Sequence, residues 1–204
     1  GIPGGEVRIA EDGEIETRSA GVMQGYWRRP EETRAVLAED GWLSTGDIGC
    51  FDSDGYLAIT DRKKDLIVTS GGKNIAPQPI ENRLLQHAAI SQIVVCGDGQ
   101  KSLSALIVPE QTWVDSLART YQVPWNDYHK LLEHPVIHKA FSLYLKDLCA
   151  GLADYEKVKK FLLVAAPFTV EDGTLTPTLK VRRKQVNAKY GEAIRAMYAR
   201  ETGE

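Results

Sequence analysis

An α+β fold is predicted for this 204-residue chain by three observations. Over residues 1–60, apolar and polar residues alternate on either side of two acidic, glycine-bearing turns, the signature of hairpins. After Asp61 the apolar spacing switches repeatedly between strand and helix periods. No internal repeat or low-complexity tract interrupts that mixture, which suits helices covering a small mixed sheet. The expected organisation is therefore a small strand-rich unit, residues 1–60, followed by a compact domain, residues 61–204.

Each element has its own signal. Residues 7–10 and 15–18 alternate around Glu11-Asp12-Gly13-Glu14, predicting the first hairpin. Residues 30–37 read as a short helix, with Pro30 first and Glu31 and Glu32 in its opening turn. A second hairpin is expected over residues 48–60, turning at Asp52-Ser53-Asp54-Gly55. Residues 66–68 read as a strand. Residues 77–86 read as a helix, because Ile80, Leu84 and Leu85 recur at helical spacing. Strands at 93–96 and 103–108 flank the turn Gly97-Asp98-Gly99-Gln100. Residues 112–153 form a long amphipathic helical stretch, 160–164 a strand and 189–200 a closing helix.

Composition removes several classes of function. A net charge of −3 leaves no excess of Lys and Arg for a nucleic-acid backbone, so no nucleic-acid partner is expected. Cys50, Cys96 and Cys149 are odd in number and far apart, which fits reduced thiols in the cytoplasm better than a disulfide frame. The longest apolar runs fall far short of the roughly 20 residues a membrane helix needs; peripheral membrane contact is left open. Gly1-Ile2-Pro3-Gly4-Gly5 carries no charged-then-apolar leader, and such a start is expected of a piece excised from a longer protein.

Four segments could carry chemistry. In Trp42-Leu43-Ser44-Thr45-Gly46-Asp47 an aspartate follows a glycine at the end of an apolar strand. A carboxylate held on such a turn can accept two hydrogen bonds from vicinal hydroxyls, as a ribose offers; a plain Asx turn explains it equally well. Asp61-Arg62-Lys63-Lys64-Asp65 is on its own a solvated charge cluster. In Thr69-Ser70-Gly71-Gly72-Lys73-Asn74-Ile75 paired glycines would let a thin substrate chain approach the backbone, or would simply turn it. In Leu175-Thr176-Pro177-Thr178-Leu179-Lys180 an ammonium on a flexible stem is offered from a turn, or joins Arg182, Arg183 and Lys184 in a basic surface patch. His134 and His138 stand at i and i+4, but Pro135 starts a helix between them and no third ligand lies in sequence reach, so no metal site is expected.

Together, and in this order, these segments resemble the C-terminal portion of the adenylate-forming superfamily of acyl-CoA synthetases, luciferases and adenylation domains. The Leu-Thr-Pro-Thr-Leu-Lys-Val-Arg-Arg wording is most similar to bacterial long-chain fatty acid–CoA ligases. The resemblance implies that residues 1–60 are the tail of a large adenylation domain, from its β-barrel-like subdomain, and that residues 61–204 are a mobile lid. It implies ribose contact for Asp47 and Arg62, a hinge at Lys64, and a pantetheine channel lined by Gly71, Gly72 and Lys73. Lys180 becomes the catalytic lysine that stabilises charge while a carboxylate attacks the α-phosphate of ATP. Fatty acid, ATP with Mg2+, and CoA are the implied substrates and cofactors, bound mostly through an N-terminal domain that this sequence lacks. The chain alone is then expected to be inactive. A synthetase for another acyl or aryl acid, a carrier-protein-loading enzyme, and a non-catalytic interaction domain of the same fold stay open.

Overall fold

The computed structural model describes residues 4–199, so the opening Gly1-Ile2-Pro3 and the expected helix end at Arg200 lie outside the described residues. The chain forms two compact units, Gly1–Leu66 and Ile67–Glu204. The change of pattern expected after residue 60 thus falls six residues later: Asp61 and Arg62 complete a strand of the first unit, and the charged turn beyond them stays with it.

The first unit is a four-stranded antiparallel sheet in sequential order. Strands β1 (Glu6–Ile9) and β2 (Glu14–Arg18) form the first hairpin. Strands β3 (Leu43–Phe51) and β4 (Leu57–Arg62) form the second, whose turn is tied by Asp52 accepting from the backbone N–H groups of Asp54 and Tyr56. Between the hairpins lies helix α1 (Pro30–Val36). A 3₁₀ turn, Lys63–Asp65, follows β4. Ile15 and Trp42 are the buried apolar anchors of this sheet, and the guanidinium groups of Arg8 and Arg18 lie 4.1 and 4.9 Å from the Trp42 ring.

The second unit opens with a two-stranded ribbon, β5 (Ile67–Val68) and β6 (Asn74–Ile75), of which only the first strand has a signal in the sequence. Helix α2 (Pro77–Leu84) buries Pro77, Ile80, Glu81 and Leu84 on one face. The sheet is mixed: β7 (Ile90–Cys96) is antiparallel to β8 (Leu103–Pro109), and β9 (Val158–Leu163) is parallel to β8. A parallel pairing needs a long crossover, and the helical stretch supplies it. That stretch divides into α3 (Gln111–Thr120), α4 (Tyr128–Leu132) and α5 (Pro135–Leu148) instead of running on. The reasons are local. Gln122 takes a left-handed φ of 53°, Asp127 caps α4 by accepting from His129 and Lys130, and His134 caps α5 by accepting from Val136. Helix α6 (Arg183–Ala199) begins six residues before the predicted start.

Every residue of β8 is buried, because both faces of the sheet are covered. On one face Ile93, Val95, Ala105, Ile107 and Leu163 pack with Leu84, Val114, Ile137 and Phe141. On the other, Val94, Cys96, Leu106 and Val108 pack with Phe168, Leu175 and Val186. Arg83 of α2 donates to the carbonyls of Leu148 and Ala150, both at 2.6 Å, satisfying acceptors that the end of α5 leaves open.

Candidate functional site

The first cluster forms where β3 is irregular. A two-residue step on β2, Glu14 to Glu16, faces a four-residue step on β3, Ser44 to Ile48, so Thr45, Gly46 and Asp47 bulge out of the ladder. Gly46 sits at φ +75° with open space where a side chain would be, so its backbone angle is what calls for glycine. Asp47 accordingly lies inside β3, on a bulge. The expected position, a turn after the strand's end, is corrected by this geometry.

The bulge is pinned at three points. Thr45 Oγ1 donates to Ile15 O at 2.7 Å, Asp47 N donates to Thr45 Oγ1 at 3.2 Å, and Gly46 N donates to Glu14 Oε1 at 2.8 Å. On the facing strand Arg62 pairs with Asp47 in register, its Nε 3.5 Å from Asp47 Oδ1. That distance is long for a hydrogen bond, and an exposed pair of this kind contributes at most about 1 kcal/mol. The Asp47 carboxylate is therefore held in place without being consumed. Asp47, Arg62 and Lys64 line one open cleft of about 390 Å³ together with Thr45, Gly46 and Lys63. The cleft thus brings the Asp47 carboxylate together with Arg62 and Lys64, and with a Lys63 whose ammonium two further carboxylates already hold.

Lys63 is the tethered member. Its Nζ lies 2.7 Å from Asp12 Oδ2 and 2.7 Å from Glu14 Oε2. Those hydrogen bonds, Asp12 first and Glu14 second, hold the ammonium well above its ordinary pKa, and the Lys63 contact holds the Asp12 carboxyl below the usual carboxylate range. Lys64 beside it is exposed.

The other predicted residues belong to the second unit, on two separate loops. Gly71, Gly72 and Lys73 form the turn of the β5–β6 ribbon: Gly72 N donates to Thr69 O, Thr69 N to Lys73 O, and Lys73 N to Thr69 Oγ1. Gly72 has φ +73°, and Lys73 Nζ lies 5.8 Å from the Tyr155 ring. The turn is stitched to the β7–β8 connection by Ser70 N donating to Gln100 O and Val68 N to Asp98 Oδ1.

Lys180 is exposed on a short loop closed by the bridge between Leu175 and Val181. Thr176 organises that loop. Its N–H donates to Lys180 O, its carbonyl accepts from Leu179 N, and its Oγ1 accepts from Lys180 N at 3.0 Å. Leu179 takes a left-handed φ of 60° and is 71% exposed. The Lys180 ammonium makes no hydrogen bond or ion pair with another described residue.

Arg183 is no part of a basic surface patch: it is largely buried and donates to both oxygens of Glu81. His138 stacks on Phe161 at 4.4 Å while His134 caps α5, so the two histidines serve packing and capping. Among the described residues no group of three or more His, Cys, Asp or Glu could hold a metal ion.

The pairings of Glu14 with Lys63 and of Glu81 with Arg183 were not foreseen by sequence reasoning. Glu14 meets Gly46 across 32 positions and Arg183 meets Glu81 across 102, and no local spacing signals such contacts.

Residues 64–202 match the family model of the AMP-binding enzyme C-terminal domain. Long-chain-fatty-acid–CoA ligase FadD15 of Mycobacterium tuberculosis is 40% identical over 204 residues, covering 98% of this chain and 33% of that protein. Long-chain-fatty-acid–CoA ligase 5 of Rattus norvegicus is 35% identical over 196 residues, 93% of this chain and 28% of its own length. The chain thus spans about a third of the curated relatives it matches. Among solved structures, the A-PCP didomain of carboxylic acid reductase from Segniliparus rugosus in complex with AMP superposes with a TM-score of 0.75 at 28% identity, over 92% of this chain and 25% of that one.

Proposed function

Because this chain belongs to the AMP-binding enzyme C-terminal domain family, we propose that it serves a long-chain fatty acid–CoA ligase as the part that closes on, and then leaves, the acyl-adenylate. The reaction runs from acid and Mg·ATP to acyl-AMP and pyrophosphate, then with CoA to acyl-CoA and AMP. The carrying observation is the cleft in which Asp47, Arg62 and Lys64 converge: a carboxylate, a cation and an exposed charged turn. In this reading Asp47 and Arg62 hold the ATP ribose, Lys64 is the pivot, and Gly71, Gly72 and Lys73 line the path of the CoA arm. Lys180 neutralises the charge that grows on the attacked phosphate, an interaction stronger in the transition state than before it. Its exposed position and an ammonium unpaired among the described residues support that role. Mg2+ arrives with ATP. The two units are the tail of an adenylation domain and its mobile lid, and the remaining substrate contacts belong to the N-terminal part of that same adenylation domain.

Three free cysteines support a cytoplasmic setting, and no helix among the described residues is long and apolar enough to cross a membrane. A carrier-protein acceptor is the second reading, favoured by the likeness to the reductase didomain; identity of 40% along 98% of the chain favours CoA. Acid-dependent ATP–pyrophosphate exchange by the intact protein is the test. Exchange that requires a long-chain fatty acid, followed by thioester formation with free CoA, supports the proposal. Exchange that answers only to short or aryl acids would reject it.

A further inference from the structure

The buried carboxylate of Glu14 touches both segments that the proposed reaction uses in the first unit. Its side chain is 7% exposed. One oxygen accepts from Gly46 N at 2.8 Å, in the middle of the bulge that presents Asp47. The other accepts from Lys63 Nζ at 2.7 Å, at the root of the Lys63–Asp65 turn. Asp12 grips the same ammonium from its outer side and accepts from Glu14 N at 3.1 Å, which sets the Glu14 backbone.

A carboxylate this buried is costly unless both oxygens find donors, and here each donor comes from a different functional segment. Both bonds are charge-assisted and therefore short and directional. Moving either segment would strip one oxygen of its partner. The bulge and the turn root therefore keep a common spacing.

We propose that Glu14 is a positioning residue for the ligase reaction, fixing the Gly46–Asp47 bulge against Lys63 so that nucleotide grip and domain pivot share one rigid mount. This rests on the reading of Asp47 as the ribose carboxylate and Lys64 as the pivot. With Lys63 held on one side, rotation is confined to the exposed residue after it. A small number of residues absorbing the φ/ψ change is what makes a hinge reproducible.

The test compares Asp47→Ala, Glu14→Gln and Lys63→Met in the intact ligase, reading ATP KM in pyrophosphate exchange and thioester formation from supplied acyl-AMP. Glutamine keeps the shape of Glu14 but loses its charge. Glu14→Gln should raise the ATP KM about fivefold, the size of one weakened hydrogen bond, and alter the ratio of the two half-reactions about threefold. Lys63→Met should alter that ratio with a smaller rise in ATP KM than Glu14→Gln gives. The Lys63 side chain is 46% exposed, so this variant decides the matter even if Glu14→Gln does not fold. A folded Glu14→Gln that lowers only the melting temperature overturns the inference. So does a Lys63→Met that leaves the ratio of the half-reactions unchanged, or that raises ATP KM about fivefold or more, since cleft charge and not the tether would then be at work. If Asp47→Ala raises ATP KM and Glu14→Gln does not, the inference fails alone. If Asp47→Ala leaves ATP KM unchanged, the ribose reading fails and takes the inference with it.

Discussion

Arg183 Nη2 donates to both oxygens of Glu81, at 2.7 and 2.8 Å, joining the first turn of α6 to the buried face of α2. Arg183 Nη1 adds a bond to Val95 O at 2.9 Å, and Val95 N donates to Glu81 Oε1 at 2.8 Å. The end of β7 is thus locked to both helices through Arg183, three residues beyond Lys180.

Breaking one side of this pair should cost more than removing both. Glu81→Leu would leave a guanidinium buried without its anion, a loss of about 3–5 kcal/mol. The double variant Glu81→Leu, Arg183→Met replaces the ions with apolar groups and should cost clearly less than the two single changes added together. Chemical denaturation of the three variants measures this. Additive costs would mean that the pair is not coupled.

A second prediction concerns pH. Asp172 accepts from Lys189 Nζ at 2.7 Å, from the backbone N–H groups of Thr169 and Thr174, and from the Thr174 hydroxyl. The Lys189 contact, then the Thr174 bonds, hold its carboxyl far below the usual carboxylate range. A group depressed in the folded state stabilises fully above its ordinary pKa of about 4, and that contribution is lost as pH falls toward the folded value. Asp172→Asn should therefore melt lower than the parent at pH 7, with the gap narrowing at pH 3. A gap that does not change with pH would remove Asp172 from the acid response.

How far all this was legible in the sequence depends on whether the deciding contact is local. Asp52-Ser53-Asp54-Gly55 makes its turn from its own side chain, and the apolar spacing of α2 and α5 follows from the faces they bury. The bulge at Gly46 was not legible as such, since a bulge is a mismatch between two strands and cannot be read from one. The early start of α6 was hidden for a related reason. Residues 183–188 offer only Val186 to the core, and what orders the first turn is a guanidinium bound to a distant carboxylate. Segments with chemical signatures, around Asp47 and Lys180, could be found by residue type. Their supports, Glu14 and Arg183, could not.

The third prediction tests the pivot. Lys64 is exposed in a 3₁₀ turn closed by Leu66 N donating to Lys63 O at 3.3 Å, a weak tie suited to reorganising. Proline fixes φ and restricts the residue before it, so Lys64→Pro should freeze one arrangement. In the intact ligase adenylation should survive while thioester formation falls about tenfold or more, because one orientation serves each half-reaction. Equal loss of both would count against a hinge at this position.

The last prediction is for Lys180. Its loop is shaped by Thr176 and by the Leu175–Val181 bridge, and neither uses the lysine side chain. Lys180→Ala should therefore leave the melting temperature unchanged within a degree or so, as surface substitutions generally do. Removing a preorganised charge that acts on the developing phosphate charge should lower acyl-AMP formation by about 10²-fold or more. The effect should fall on kcat, since an interaction realised in the transition state adds little to ground-state affinity. Supplying preformed acyl-AMP and CoA separates the steps: the variant should then make thioester at nearly the parental rate, since the lysine has no task once the adenylate exists. If thioester formation from supplied acyl-AMP collapses as badly as adenylation does, Lys180 serves both orientations. The exposed loop would then be a general anchor of the lid, not an adenylation-specific one.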